Sequence, residues 1–190
     1  MYGKPSYKSD SFIGEKGYSI MRANKLNLKA VVENQKCDGT AYFQRVFVNA
    51  PAVPWYWGIF HFDNGGMLSY YNPSFMGVSI KEEIEFFDGE EYYRFDEMNV
   101  ERTGGEIPKF HIWAENENQS IEFDVNSYSH SSWTFRRRAL KFIPNKLTYN
   151  EYPSTVSNLV FRDKENSEEI TSEDLGKAVG NAEHTKGLLF

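Results

Sequence analysis

The sequence predicts an all-β fold, an antiparallel barrel or strongly curved sheet with one short helix near its C-terminus. Aromatic residues, which suit pleated and half-buried surfaces, make up 16% of the 190 residues. Candidate strands recur between regularly spaced turn signals, and about eleven or twelve of them can be counted. Helical periodicity is confined to one short stretch. We therefore expect little helix and a sheet large enough to curl.

The sequence predicts three strands in the first part of the chain. Residues 1–14 are polar and are expected to be a flexible lead-in, so that a single domain covers residues 15–190. Period-two alternation then predicts strands, and short polar pairs predict the turns between them. The predicted strands are Tyr18–Ala23, Leu26–Glu33 and Thr40–Asn49, with turns at Asn24-Lys25 and Asp38-Gly39.

The central element is a predicted hairpin, Trp55–Asn72. Its turn, Asp63-Asn64-Gly65-Gly66, contains residues that accept the positive φ angles of a tight connection. Two groups of side chains alternate along the first strand: Trp55, Trp57, Ile59, His61 and Asp63 on one face, and Tyr56, Phe60 and Phe62 on the other. Neither face is plainly polar. We therefore expect the hairpin to be covered on both sides.

The rest of the chain continues the strand pattern. The segment Glu90–Val100 carries several acids and is expected to be an edge strand, since charge protects an edge from further pairing. The helix is predicted over Thr171–Val179, which begins with a capping-box pattern. Further strands are predicted at Ile80–Phe87, Lys109–Ala114, Ser120–Tyr128, Ser132–Arg138, Lys146–Tyr152 and Ser157–Arg162.

Charge and cysteine usage narrow the class of protein. The formal net charge is −6, which argues against a nucleic-acid partner because such proteins present a basic field. The single cysteine, Cys37, permits no intramolecular disulfide. No signal peptide is visible at the N-terminus, and no apolar run is long enough to span a bilayer. We expect a cytoplasmic protein without stable membrane insertion, and its oligomeric state stays open.

Two sites carry candidate proton chemistry. His61 lies two residues from Asp63, on the same strand face, and the pair is spaced to relay a proton. The alternative is that Asp63 is a turn residue and His61 fills the core. Glu183 lies in a glycine-flanked segment near the C-terminus, where burial would raise its pKa and make it a general acid. The alternative is that Glu183 pairs with an arginine, either Arg45 or one of Arg136–Arg138.

Other site chemistries have little support. The run Arg136–Arg138 could hold a phosphate or carboxylate group, or be a solvated strand edge. No metal site is expected, because the histidines are scattered and lack ligand spacing. Neither a nucleotide-binding glycine loop nor a nucleophile elbow is present, so no cofactor is expected. The four histidines are His61, His111, His130 and His184.

Three pieces of the chain together resemble one family. They are Gly39-Thr40-Ala41-Tyr42-Phe43-Gln44, the aromatic hairpin with Trp55-Tyr56-Trp57 and Leu68-Ser69-Tyr70-Tyr71, and the closing segment Gly180–Gly187. This combination resembles the lipocalin-like family of carotenoid 1,2-hydratases and AttH proteins, and is similar to fungal decalin-forming cyclases and tocopherol cyclases. The resemblance implies a calycin-type barrel. It covers roughly one barrel from about Gly39 onward, in a family whose members usually carry two.

The resemblance also implies where catalytic groups should lie. In the hydratases an Asp-His pair follows the first motif, and an acid follows the tyrosine of the hairpin's second strand. The matching positions here are Gln44-Arg45 and Tyr71-Asn72. Because neither a phenol nor an amide protonates an unactivated alkene at neutral pH, we expect any proton donor to be Glu183 or His61.

The functional expectation follows from the resemblance. A small apolar molecule (isoprenoid, polyene or lipid-like) would bind in a barrel cavity, with a cofactor-free hydration, cyclisation or isomerisation as the reaction. The alternatives are a non-catalytic carrier and a carbohydrate-binding β-sandwich, whose aromatic residues would line an open groove. The expected ligand contacts are Trp55, Trp57, Tyr70, Tyr71, Asn72, Gln44 and Arg45.

Overall fold

The computed structural model describes residues 7–13, 16–49, 52–75, 78–139 and 143–188. The chain forms two compact units, Met1–Ala52 and Val53–Phe190. The boundary predicted between a lead-in and a domain, at residue 15, therefore lies inside the first unit. The aromatic hairpin and the closing segment both belong to the second unit.

The first unit is a three-stranded antiparallel sheet in the order β1-β2-β3. Residues 7–13, which lie within the predicted lead-in, form β1 and pair with β2. The strands are β1 (Tyr7–Ile13), β2 (Lys16–Val32) and β3 (Gln35–Asn49).

Both turns predicted in this unit are wrong. Asn24 and Lys25 lie inside β2, where the register shifts so that these two residues oppose Tyr42 alone, the geometry of a β-bulge. Asp38 and Gly39 pair with β2 within the ladder. The chain turns instead at Glu33 and Asn34, whose φ angles of 49° and 67° suit the tight connection of a hairpin.

In its described residues, the second unit is one twelve-stranded antiparallel sheet with a single short helix. Along its main path the strand order is β8-β7-β5-β4-β15-β13-β11-β10-β9. Three further strands pair at its sides, β6 with β5, and β12 and β14 with β13. The strands are β4 (Trp55–Phe62), β5 (Met67–Phe75), β6 (Val78–Ser79), β7 (Glu83–Phe87), β8 (Tyr92–Phe95), β9 (Asn99–Thr103), β10 (Lys109–Glu115), β11 (Gln119–Ser127), β12 (Ser131–Ala139), β13 (Ile143–Asp163), β14 (Glu168–Thr171) and β15 (Ala178–Leu188).

The chain connectivity explains why this sheet curls. β8 and β9 are the two ends of the strand order, yet only Asp96–Met98 connects them along the chain. Three residues span about 10 Å, so the two ends of the sheet must come close together. The sheet accordingly curls strongly into a half-barrel, which confirms the predicted all-β class. The segment Glu90–Val100, predicted as one edge strand, supplies strands to both ends.

The longest strand, β13, joins what the sequence predicts as two strands. Its first part lies between β12 and β15, and its last part lies beside β11 and β14. Pro153 lies in the middle, and its carbonyl accepts a hydrogen bond from Tyr128 N, 3.0 Å away. The missing N–H of Pro153 therefore faces the β11–β12 connection, where the ladder is interrupted, and one continuous strand can tolerate it.

The helix is shorter than predicted. α1 (Ser172–Leu175) begins with Thr171 as its N-cap, and Asp174 completes the predicted capping box. Gly176, with φ of 77°, ends the helix, and β15 begins at Ala178. No helix in the described part of the chain is long and apolar enough to cross a membrane.

The inner side of the half-barrel is the hydrophobic core, and we call it the core face. Three aromatic rings pack against Phe86, with centroid distances of 6.4, 5.8 and 5.5 Å for Phe62, Tyr93 and Phe161. Ile121, Phe123 and Val125 also point inward, as the alternation of β11 predicts. This part of the interior is a packed core, whereas the resemblance implies a ligand cavity.

Candidate functional site

The hairpin β4–β5 is covered on both faces, as predicted. Phe60 and Phe62 belong to the core face. Trp57 and Ile59 point to the opposite side and are also buried, at 7% and 6% exposed. The predicted turn is confirmed by hydrogen bonds between Phe62 and the glycines of the turn. We call this opposite side, in β4, β15, β13 and β12, the Glu183 face.

The register of the hairpin divides the predicted ligand contacts between two faces. Tyr71 pairs with Trp57, and both lie on the Glu183 face together with Trp55. Tyr70 pairs with Gly58 and points into the core, where it is 2% exposed. A Cβ atom at Gly58 would lie 2.5 Å from the Tyr70 ring, so this glycine makes room for it. The four aromatic residues therefore do not line one common cavity.

The remaining predicted contacts lie elsewhere. Asn72 pairs with Tyr56 and is buried, and its Oδ1 accepts a hydrogen bond from the Ser79 hydroxyl, 3.1 Å away. Gln44 and Arg45 are exposed residues of β3 in the first unit.

The two predicted catalytic residues share a face but not a site. His61 pairs with Val179, whereas Glu183 pairs with Trp57. Four residues of strand separate the two positions, which corresponds to about 13 Å. His61 and Glu183 therefore cannot act on the same bond as an acid–base pair.

Asp63 has a structural role at the end of β4. Its Oδ2 accepts a hydrogen bond from Lys177 N at 3.2 Å, and its own N–H donates to the Lys177 carbonyl at 3.1 Å. These bonds tie the hairpin turn to the segment after α1. The turn interpretation of Asp63, one of the two alternatives, agrees with this geometry.

Glu183 is the centre of a polar cluster on the face that bears its name. Trp55 Nε1 donates a hydrogen bond to Glu183 Oε2 at 3.1 Å. The Tyr149 hydroxyl hydrogen-bonds to the other oxygen, Oε1, and also lies 3.2 Å from Glu151 Oε1. The Trp55 and Tyr149 ring centroids are 6.1 Å apart, so the carboxyl is flanked by aromatic rings.

The backbone fixes this cluster. Trp55 begins β4, and its N–H donates to the Thr185 hydroxyl of β15 at 2.8 Å. Glu183 pairs with Trp57 of β4 on one side and with Glu151 of β13 on the other. Tyr149 pairs with Thr185, so the indole and the phenol flank Thr185 in one row, and Glu183 lies in the next row on the same face.

The environment of Glu183 favours its neutral form. Burial raises the pKa of this carboxyl to about 6, the nearby Glu151 charge adds to the rise, and the hydrogen bonds from Tyr149 and Trp55 oppose it. Burial and the Glu183 charge also raise the pKa of Tyr149, which stays protonated. A carboxyl that titrates near pH 6 can give and take a proton close to neutrality.

The neighbouring residue, His184, points to the core face. Its ring stacks on Tyr56, with centroids 4.4 Å apart and planes 7° apart. Burial lowers the pKa of His184 to about 4, and the charges of Lys186 and Arg102 act in the same direction. His184 is therefore a neutral, packed side chain at neutral pH.

Among the described side chains, the hydrogen-bond partners of Glu183 are Trp55 and Tyr149, and neither is an arginine of the alternative interpretation. Both are uncharged side chains, and among the described residues no ion pair involves Glu183. Arg136 is an exposed residue of β12, and the side chains of Arg137 and Arg138 lie outside the described set. The head-group hypothesis for this run stays a prediction.

Sequence reasoning missed Tyr149 and Glu151. Both lie in the predicted strand Lys146–Tyr152, and the period-two rule places them on one face. Nothing in the local sequence indicates that this strand pairs with β15.

No group of three or more His, Cys, Asp or Glu side chains in the described residues could hold a metal ion. A polar surface concavity is formed by Asn116–Gln119 and Glu165, none of which belongs to the polar cluster around Glu183. Comparisons with family models, curated proteins and solved structures found no match for this chain.

Proposed function

We propose that the protein binds a small apolar molecule, of isoprenoid, polyene or lipid-like character, on the Glu183 face. Glu183 gives this molecule a proton in a cofactor-free hydration, cyclisation or isomerisation. The observation that carries the proposal is the Glu183 carboxyl itself, held between the Trp55 indole and the Tyr149 phenol with its pKa raised to about 6. Protonation of an alkene needs a donor that still carries its proton near the working pH, and burial keeps a carboxyl protonated to a higher pH.

The aromatic surface around Glu183 supports an apolar ligand. Trp133 of β12 pairs with Tyr149, so the two rings lie on the same face. Trp133 is 67% exposed and Phe135, two residues along, is 46% exposed. The aromatic surface thus runs from half-buried Trp55 to exposed Trp133, and offers flat apolar area beside the acid.

All-trans-retinol is a suitable polyene probe, because tryptophan fluorescence transfers energy to it. We expect saturable energy transfer that weakens several-fold in Trp133→Ala and Trp55→Phe. Trp113→Phe is the matched control, since Trp113 lies on β10, three strands away from β15 in the strand order. Glu183→Gln should keep retinol binding, because the amide has nearly the same shape. Energy transfer that fails to saturate, or that Trp113→Phe alone reduces, would contradict the proposal.

Carbohydrate binding is a second candidate function, favoured by the exposure of Trp133. A flat exposed indole beside two carboxylates is also suited to stack on a sugar ring and bind its hydroxyls. Calorimetric titration with cellohexaose and chitohexaose separates the two functions. Binding of either sugar that is lost in Trp133→Ala, without retinol binding, would replace the first proposal by the second.

A further inference from the structure

Two glutamates lie directly opposite each other in the sheet. Glu151 of β13 pairs with Glu183 of β15, so both side chains emerge on the Glu183 face. Directly opposed residues of an antiparallel pair have Cβ atoms about 5 Å apart, and like charges at that spacing destabilise the sheet. A cation would relieve this repulsion, yet among the described side chains neither glutamate forms an ion pair with lysine or arginine.

The group between the glutamates is the Tyr149 hydroxyl. It contacts Glu183 Oε1 and Glu151 Oε1 at the same time. A phenol carries one proton and can donate to one carboxylate only. The second contact becomes a hydrogen bond when its carboxyl carries a proton and donates to the phenol oxygen. One added proton therefore satisfies both contacts and also removes the repulsion between two negative charges.

The other described side chains near Glu183 are indoles, a hydroxyl and phenols. Trp55 and Trp57 face it from β4, and Thr185 lies two residues along β15. Tyr71 of β5 lies beyond Trp57 on the same face, and the core-face Tyr70 has a pKa raised by burial and by the Glu183 charge. Within the described second unit, the relevant proton is therefore shared among Glu183, Tyr149 and Glu151.

We propose that Glu183, Tyr149 and Glu151 form one proton relay, in which Glu183 is the donor, Glu151 the acceptor and Tyr149 the bridge between them. The relay itself stands on the hydrogen-bond geometry, and its use in a reaction rests on the proposed function. The relay narrows the proposed reaction to one in which the reacting molecules gain one proton and lose another on the same face. Isomerisation or cyclisation of an isoprenoid alkene meets this condition when the second proton leaves carbon, and hydration meets it when the second proton leaves the attacking water.

The proton balance of such a reaction closes within the three residues. The Glu183 O–H bond breaks and the alkene π electrons form a new C–H bond, leaving a carbocation. A neighbouring C–H bond then breaks, its electrons form the new double bond, and its proton goes to Glu151. The Glu151 proton passes to the Tyr149 oxygen while the Tyr149 proton passes to Glu183, and the starting state is restored.

The relay can be tested without a ligand by carbon-detected NMR of protein labelled with ¹³C at glutamate carboxyls. In the wild type we expect the Glu183 signal to titrate in two steps, because the sites interact. In Glu151→Gln, the Glu183 signal should titrate in one step at lower pH, since the neighbouring negative charge is gone. In Tyr149→Phe its midpoint should rise, because a donor to the carboxylate is lost.

Glu101→Gln on β9 is the matched control and should leave the Glu183 titration unchanged. Far-UV circular dichroism checks that each variant is folded, and if Tyr149→Phe unfolds, Glu151→Gln decides alone. A Glu183 signal that titrates in one step with the same midpoint in wild type and Glu151→Gln would overturn the relay. That result is independent of retinol binding, so failure of the relay and failure of the proposed function can be told apart.

Discussion

The two faces of β15 offer a direct comparison, because adjacent residues carry ionisable groups into opposite surroundings. Glu183 points to the Glu183 face and His184 points into the core face. Burial acts on both, and in both it disfavours the charged form. It raises the pKa of the carboxyl to about 6 and lowers the pKa of the imidazole to about 4.

The difference between the two lies in their polar partners. Glu183 has a hydrogen-bond donor at each carboxyl oxygen. The His184 ring is stacked on Tyr56, and its buried Nδ1 has no hydrogen-bond partner among the described residues. A shifted pKa alone therefore does not identify a functional group. The two donors at Glu183 support our proposal of an acid–base role there, whereas His184 is a ring that fills the core.

The largest expected loss of stability comes from disrupting the alignment of β15 with β4, which both faces of the sheet require. A Cβ atom at Gly180 would lie 1.9 Å from the Ile59 carbonyl oxygen of β4. Gly180→Val must push the two strands apart, and we expect a loss of about 3 kcal/mol or more in unfolding free energy. Urea denaturation measures it, with Val179→Ala, an exposed neighbour, as the control. A Gly180→Val protein within 1 kcal/mol of the wild type, roughly the control's range, would contradict this packing.

His184 on the core face should make the folded protein less stable in acid. Because the pKa of His184 in the folded protein is lowered from 6.5 to about 4, its contribution to stability is complete above pH 6.5. It is lost as the pH falls from 6.5 towards 4, by up to about 3 kcal/mol. His184→Phe keeps a ring on Tyr56 but cannot titrate, so its unfolding free energy should fall less over this range. Equal acid losses in the two proteins would contradict the assignment.

On the Glu183 face, stability should change with pH in the opposite direction. The folded-state pKa of Glu183 is raised from 4.5 to about 6, so its contribution to stability is complete below pH 4.5 and is lost as the pH rises through 6. The loss is at most about 2 kcal/mol, and less where water reaches the half-buried carboxyl. Glu183→Gln should therefore gain stability relative to the wild type between pH 4.5 and 7.5.

Urea unfolding at several pH values measures this gain, with Glu101→Gln as the control. A difference between Glu183→Gln and wild type that does not change with pH would show that the carboxyl titrates normally in the folded protein.

The smallest expected change in stability is for Trp133, at the exposed end of the Glu183 face. Trp133 is 67% exposed, so Trp133→Ala should change the unfolding free energy by less than about 0.5 kcal/mol. The same substitution should weaken retinol binding several-fold. A large loss of stability would show that Trp133 is a packing residue and not a ligand contact.

The sequence predicted local features well. The hairpin turn, the capping box at Thr171 and the inward set of β11 each follow from a few consecutive residues. Period-two alternation also excludes a site in which Tyr70 and Tyr71 both contact one ligand. These residues are adjacent in a strand, so their side chains must point to opposite faces. The Asn24-Lys25 error has a local cause, since a polar pair suits a bulge as well as a turn.

The polar cluster around Glu183 could not be predicted in this way. Tyr149 and Glu151 are 34 and 32 residues before Glu183, and only the long-range pairing of β13 with β15 brings them together. That register depends on how the sheet curls and on where Pro153 allows β13 to change partners. Local patterns carry no information about either, so the sequence identified Glu183 without the residues that tune it.

The central claim is that Glu183 is a carboxyl with a raised pKa, bonded to the Trp55 indole. The ¹H–¹⁵N signal of the Trp55 indole reports on it directly, because the Nε1–H donates to the carboxyl. We predict that this signal shifts with a midpoint near pH 6, that the shift disappears in Glu183→Gln, and that the Trp113 indole does not follow it. A Trp55 signal that is constant between pH 4 and 8, or that moves with a midpoint near the ordinary value of about 4.3, would contradict the account.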